Sequence, residues 1–334
     1  MRITNRVMNN NLLLNLNRGL TRLDRINNQL GSKKQINVPS DDPVKAGIIL
    51  RTSTSIREAD QYIRNIGSAE SWLDAADIVM KDVISVIHRA KELGLYGASS
   101  HLDETARKAL ADEVSQLHGN VLQLANSTHG GRYIFSGQYT QTKTFELAEV
   151  ITDSTASDYV ARFDPSSPEY DPNAIRDVVF LSDLVNADGT TLYDKDAMSI
   201  NFEIGVGVTM PVNMRGQELF EPIFGALKKL YDELSDELSA PSPNPSSTVL
   251  SELDDALDNV LQQVSELGGK QNRVGLAKER MLDLQLNLTQ ILSEEQDLDY
   301  AEAIMELKME EFAYRTALSV GARIIQPSLV DFLR

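Results

Sequence analysis

The chain has 334 residues, a formal net charge of -17, 42% hydrophobic and 6% aromatic residues, and no cysteine. The lack of thiols excludes disulfides, thiolate metal sites and cysteine nucleophiles, and the negative charge opposes binding to nucleic acid or to an anionic membrane. The length has room for about two domains, and the scarcity of aromatics favours long helices packed through Leu, Ile, Val and Ala over a compact aromatic core. No apolar stretch approaches the ~20 residues that span a bilayer. Asn9, Asn10 and Asn11 interrupt any signal-peptide core. The first 30 residues are basic and poor in acids, as a mitochondrial transit peptide is, but their pattern runs on into the chain where a cleaved leader's need not.

Leu13, Leu16, Leu20, Leu23, Asn27 and Leu30 step by 3 and 4, a heptad seam with one polar position. Gly31 and Ser32 end it. A loop follows, Gln35 to Asp42, and Asp42-Pro43 reads as an N-cap with proline at the first helical position. The next helix is expected from Pro43 to about Leu93, with Ile66, Ala69, Leu73, Ala76, Met80, Val83, Ile87 and Ala90 as its seam. Another begins near Asp103, carries Leu110, Val114, Leu117, Val121 and Leu124, and stops before Gly130-Gly131.

From Tyr133 to about Arg215 the character changes. Short β-type runs, Tyr159–Phe163, Val178–Leu181, Met198–Ile204 and Val206–Val212, are separated by turn signals such as Asp164-Pro165 and Asp188-Gly189. Helix returns near Glu218. Ala240–Ser247 is a proline-rich linker. Leu250, Leu253, Leu257, Val260, Val264 and Leu267 then resume the helical stepping, which continues through Leu298, Met305 and Phe312 nearly to Pro327.

This pattern predicts a mainly α fold with an inserted β-rich domain. Leucine stripes cannot be left in water, and the nearest partner for the N-terminal helices is the C-terminal set folded back on them. The expected architecture is an elongated antiparallel helical bundle, or coiled coil, formed by the N- and C-terminal segments. Its divisions are a terminal coiled-coil core (1–42 and 291–334), a helical rod (43–140 and 216–290) and a β-rich outer domain (141–215). The entropy of fixing residues 13–30 exceeds what five buried leucines return, and isolated helices of that length are marginal. The terminal helices are therefore expected to fold with partners, through a packing seam of Leu13, Leu16, Leu20, Leu23, Leu30, Leu298, Met305 and Phe312. Charge supports the pairing. Residues 1–40 carry seven basic side chains and one acid, whereas residues 294–312 carry eight acids and one base, Lys308.

No catalytic constellation emerges. His88, His101, His118 and His129 have no metal-ligand spacing. Gly268-Gly269-Lys270 is followed by Gln271 and lacks the upstream glycine of a phosphate loop, Gly205-Val206-Gly207 opens no helix, and there is no G-x-S-x-G. The glycosylation patterns at Asn126 and Asn287 sit in helix-like sequence and read as chance. The chain is read as a non-enzyme without cofactor or metal.

Val38-Pro39-Ser40-Asp41-Asp42-Pro43-Val44-Lys45-Ala46 resembles the segment joining the first two helices of flagellin-type proteins. The two terminal seams look like the paired terminal helices of that superfamily, and the resemblance covers residues 1–145 and 217–334. Leu124-Ala125-Asn126, Gly131-Arg132-Tyr133-Ile134-Phe135-Ser136-Gly137, the opening Met1-Arg2-Ile3 and the closing Ser328-Leu329-Val330-Asp331-Phe332-Leu333 are similar to its hook-associated members. His129-Gly130 departs from the acid more usual before that glycine. The resemblance implies a ring-like homo-oligomer between the hook-side junction protein and the flagellin filament. It further implies an extracellular place on the bacterial flagellum, type III export without a cleaved signal, and a cytoplasmic export chaperone as an earlier partner. The rival within the superfamily is flagellin, the bulk filament subunit. A receptor signalling rod would bring transmembrane segments.

Overall fold

The computed structural model describes residues 5–98, 103–147, 178–180, 199–235 and 247–325. The chain divides into two compact units, a terminal one of Met1–Gln61 with Leu282–Arg334 and a central one of Tyr62–Met281. The described residues form six helices, α1 (Asn5–Ser32), α2 (Pro43–Gly97), α3 (Glu104–Ala125), α4 (Gly216–Ser235), α5 (Ser247–Gln296) and α6 (Tyr300–Ile325). The fold is mainly α with a small inserted β-rich part.

The central unit holds one continuous core. In α2, the heptad stripe Ile66, Ala69, Leu73, Ala76, Met80, Val83, Ile87 and Ala90 is buried along its whole length. It meets Val114 and Val121 of α3, Ile223, Leu227 and Leu230 of α4, and Leu253, Val260, Leu267 and Val274 of α5. Polar contacts at the edges fix an antiparallel register between α2 and α5: Lys278 donates to Glu70 at 2.6 Å, Gln271 to Asp74 at 3.0 Å, and Lys91 pairs with Asp254. Asp103 caps α3 by accepting from the Ala106 amide at 2.9 Å. The Thr105 hydroxyl and that amide hold its carboxyl below the ordinary carboxylate range.

Among the described residues the unit also holds three antiparallel strand pairs. β1 (Thr128–His129) and β2 (Arg132–Tyr133) close over Gly130 and Gly131, both at positive φ, 57° and 77°, which glycine adopts without steric cost. β3 (Phe145–Leu147) pairs with β4 (Val178–Phe180), and β5 (Asn201–Gly205) with β6 (Val208–Pro211). The β-type runs beginning at Val178, Met198 and Val206 correspond to β4, β5 and β6. The run Tyr159–Phe163 and the linker as far as residue 246 lie outside the described residues.

Two features add to the sequence-based expectation. First, the core is not purely aliphatic. Phe135, Phe145, Phe220 and Phe224 form one aromatic cluster, with edge-to-face pairs at 5.0 and 5.4 Å. Gly216 lets α4 start against it, since a Cβ there would lie 2.9 Å from both the Phe135 carbonyl oxygen and the Phe145 ring. Second, Asn126 is more than a chance glycosylation pattern. Its amide nitrogen donates to the carbonyls of Leu122 (3.1 Å) and Phe145 (2.9 Å), and its oxygen accepts from the amides of Thr144 and Phe145, both at 3.1 Å. One side chain thus ends α3 and fastens β3 to it. Asn126→Ala is expected to destabilise the central unit by about 2–4 kcal/mol, since several half-buried backbone groups lose partners at once. Denaturant unfolding followed by far-UV circular dichroism measures this, and an unchanged midpoint would contradict it.

Candidate assembly surface

In the terminal unit, α1 and α6 pack against each other. The inward residues of α1 are Leu12, Leu16, Gly19, Leu23, Ile26 and Leu30, and those of α6 are Ala303, Leu307, Glu310, Tyr314, Ala317 and Gly321. Both sets step by 4, 3, 4, 3 and 4, the spacing of an antiparallel heptad pair. Two glycines set how closely the helices approach. A Cβ on Gly19 would stand 3.6 Å from the Tyr314 ring, and one on Gly321 would stand 2.6 Å from Leu12 Cδ2. Arg22 donates twice to Glu310, at 2.6 and 3.1 Å, which raises its already high pKa. This contact and Lys45–Glu295 at 4.0 Å are the ion pairs between helices of this unit among the described residues. Both are solvent-exposed, so they orient the helices more than they stabilise them.

Loops complete the unit. Asp42 accepts from the amides of Val44 (2.9 Å) and Lys45 (3.1 Å), capping α2 ahead of Pro43. Asp41 accepts from the amides of Asn37 and Val38, both at 3.1 Å. The C-terminal helical pattern breaks where the sequence reads it as continuous. α5 ends at Gln296, and Asp299 caps α6 through the amides of Ala301 and Glu302. Backbone bonds clasp this break to the loop after α1, from Gln35 N to Gln296 O (2.8 Å) and from Leu298 N to Lys33 O (3.2 Å). Lys33 takes a left-handed φ of 63° there, and the buried Gln29 side chain holds the Gln35 carbonyl at 2.6 Å.

The eight residues of the expected seam separate into two groups. Leu16, Leu23, Leu30 and Leu298 are half-buried within the chain. Leu13 (59% exposed), Leu20 (46%), Met305 (65%) and Phe312 (73%) are left exposed by it. The intrachain seam instead uses Gly19, Ile26, Tyr314 and Gly321. The signal for them was a small residue on each helix set against a large one at the mirrored position of the other.

The unit as a whole is thinly covered. Among the described residues its buried apolar side chains are Ile26, Ile36, Ala46, Ala59 and Ala303, three of them alanine. Among the described residues, its exposed large apolar side chains number seven in residues 1–61 and eleven in 282–334, against eight among those of the central unit. These exposed apolar side chains make the terminal unit the candidate assembly surface. Among the described residues no group of three His, Asp or Glu side chains is arranged to hold a metal, and none of the helices is long and apolar enough to cross a membrane. His129 meets Ser71 at 3.0 Å and the edge of Trp72. His118 is buried against Phe224, His88 is exposed, and His101 lies outside the described residues.

Residues 3–140 match the family model of the bacterial flagellin N-terminal helical region, and residues 250–333 that of the C-terminal helical region. The chain belongs to the flagellin family. Within the family it is similar to flagellar hook-associated protein 3 of Salmonella typhimurium, 28% identical over 149 residues, or 44% of this chain and 47% of that protein. The protein of the same name from Escherichia coli is 32% identical over 118 residues, 35% of this chain and 37% of that one. The matched stretch thus spans less than half of either relative. The solved structure of flagellar hook-associated protein-3 from Legionella pneumophila shares the fold, with a TM-score of 0.55 at 14% identity over 74% of this chain and 99% of that one.

In this flagellin-family chain, Gly321→Leu should wedge Leu12 out of the α1–α6 seam, an overpacking cost of about 1–3 kcal/mol. Trypsin is expected to cut the variant faster after Arg18, Arg22 and Arg25, with cleavage inside the central unit unchanged. Equal cleavage in both proteins would show that the two helices do not depend on this contact.

Proposed function

We propose that this chain is an exported structural subunit of the bacterial flagellum, forming the junction between the hook-associated proteins and the flagellin filament. The carrying observation is the terminal unit's uncovered apolar surface, above all Leu13, Leu20, Met305, Met309 and Phe312. A lone copy leaves these side chains in water, and neighbouring copies in a ring would cover them. Similarity to hook-associated protein 3 supports the junction over other flagellar positions. The partners in this reading are further copies of the chain, the first hook-associated protein on the hook side, flagellin on the filament side, and an export chaperone before secretion. Its place is outside the cell after type III export without a cleaved signal, and its work is non-catalytic.

In this reading the chain's domains are the terminal coiled-coil core, the helical rod and the β-rich outer segment, and the seam residues Leu13, Leu16, Leu20, Leu23, Leu30, Leu298, Met305 and Phe312 act within and between subunits. The acidic C-terminal face of residues 294–312 and the basic side chains of the N-terminal segment set register and polarity between copies more than affinity.

A second reading, the bulk filament subunit, is favoured by the match of both terminal regions to flagellin. Immunoelectron microscopy separates the two. The junction reading expects label confined to the hook–filament boundary, and label along the whole filament would overturn it. In the same strain, the double variant Leu20→Asp, Phe312→Asp is expected to keep a folded central unit and lose motility. Full motility would refute the assembly face.

A further inference from the structure

The sequence has nine methionines, and six have described side chains. Met80, Met210 and Met214 are buried in the central core, with 0%, 2% and 5% exposure, and Met281 is partly buried against it. Met305 and Met309 are different, with about two thirds of each side chain in water, at 65% and 68%. They stand on one face of α6 with Phe312, at the i, i+4, i+7 spacing of a helical stripe. Most of the stripe points away from α1; Met309 borders a shallow groove with Arg22, Arg25 and Ile26 of α1, yet both thioether residues stay largely exposed.

We propose that Met305 and Met309 form an oxidation-sensitive pair on the assembly face, modified by peroxide in the unassembled subunit. The inference rests on the structural-subunit reading only for its consequence, not for the modification itself. The chemistry balances without a further reagent. A thioether sulfur attacks one oxygen of hydrogen peroxide, a sulfur–oxygen bond forms, the oxygen–oxygen bond breaks, and water leaves. The sulfur is oxidised by two electrons and the peroxide is reduced by two. The product is a polar, chiral sulfoxide where a flexible apolar side chain stood. Methionine suits an interface because its unbranched thioether fills irregular gaps, and a sulfoxide in the same gap must be desolvated. Losing the burial of two methionine side chains weakens a subunit contact on the order of a hundredfold. Once copies cover the stripe, the same sulfurs are shielded, so sensitivity belongs to the time before assembly.

The test uses the purified full chain, hydrogen peroxide, peptide mass spectrometry and sedimentation over a range of concentrations. The peptide holding Met305 and Met309 is expected to gain oxygen before those holding Met80, Met210 and Met214. Oxidised wild type should self-associate on the order of a hundredfold more weakly, while Met305→Leu, Met309→Leu should associate equally well before and after treatment. Uniform oxidation across all these peptides, or equal peroxide sensitivity in the leucine variant, overturns the proposal. Undiminished association of wild type carrying both sulfoxides also overturns it, and Phe312→Asp then separates the causes. If that variant fails to associate, only the methionine claim is lost. If it associates normally, the assembly face falls as well.

Discussion

A helix with an apolar stripe must cover it, and the α1–α6 pair covers only one side of each partner. Leu12, Leu16, Leu23 and Ile26 turn inward, and Gly19 and Gly321 let the backbones come close enough for Tyr314 and Leu12 to fill the gap. Outside that seam, Leu13, Leu20, Met305, Met309 and Phe312 stay exposed. Burying such a side chain contributes roughly 1.5–3 kcal/mol, so each one left exposed is stabilisation that only a neighbour can supply. The central unit shows the contrast. Its stripes on α2, α3, α4 and α5 converge on one core, and it needs no neighbour for that purpose. In the proposed function, one part of the chain folds on its own contacts and the other has its contacts completed by assembly.

The clasp at the two helix breaks makes the terminal pair more than two loose helices. Gln35, Gln296, Lys33 and Leu298 exchange backbone bonds where both chain directions turn, and Asp42 and Asp299 cap the helices that leave the turns. These bonds are local and directional, so they set the angle at which α1 and α6 begin their shared seam. The long-range ion pair Arg22–Glu310 then fixes register rather than strength.

Features that depend on short-range chemistry were legible in the sequence. Asp42-Pro43 announces a helix start because capping involves only neighbouring amides, and the α2 stripe is readable because its heptad has a single phase. Phase was not legible in α1. Leu12, Leu13 and Leu14 are consecutive, so apolar spacing alone admits several seams, and the deciding residue is Gly19, which carries no hydrophobic signal. The break at Asp297–Asp299 was hidden because Leu298 keeps the apolar rhythm across it. The β1–β2 hairpin has strands of two residues, too short for periodicity. The phenylalanine cluster gathers residues from separate elements, which composition cannot foretell. Leu13, Leu20, Met305 and Phe312 read in the sequence as part of one packing seam, and only the structure shows that the chain's own helices leave them exposed.

In the proposed function the terminal unit is incomplete until neighbouring copies cover it. Amide hydrogen exchange on the free chain and on assembled flagella measures this directly. The expected result is fast exchange in residues 8–30 and 300–322 of the free chain, far above that of the α2 and α5 core stripes, with strong protection after assembly. Terminal helices as protected as the central core in the free, monomeric chain would contradict it.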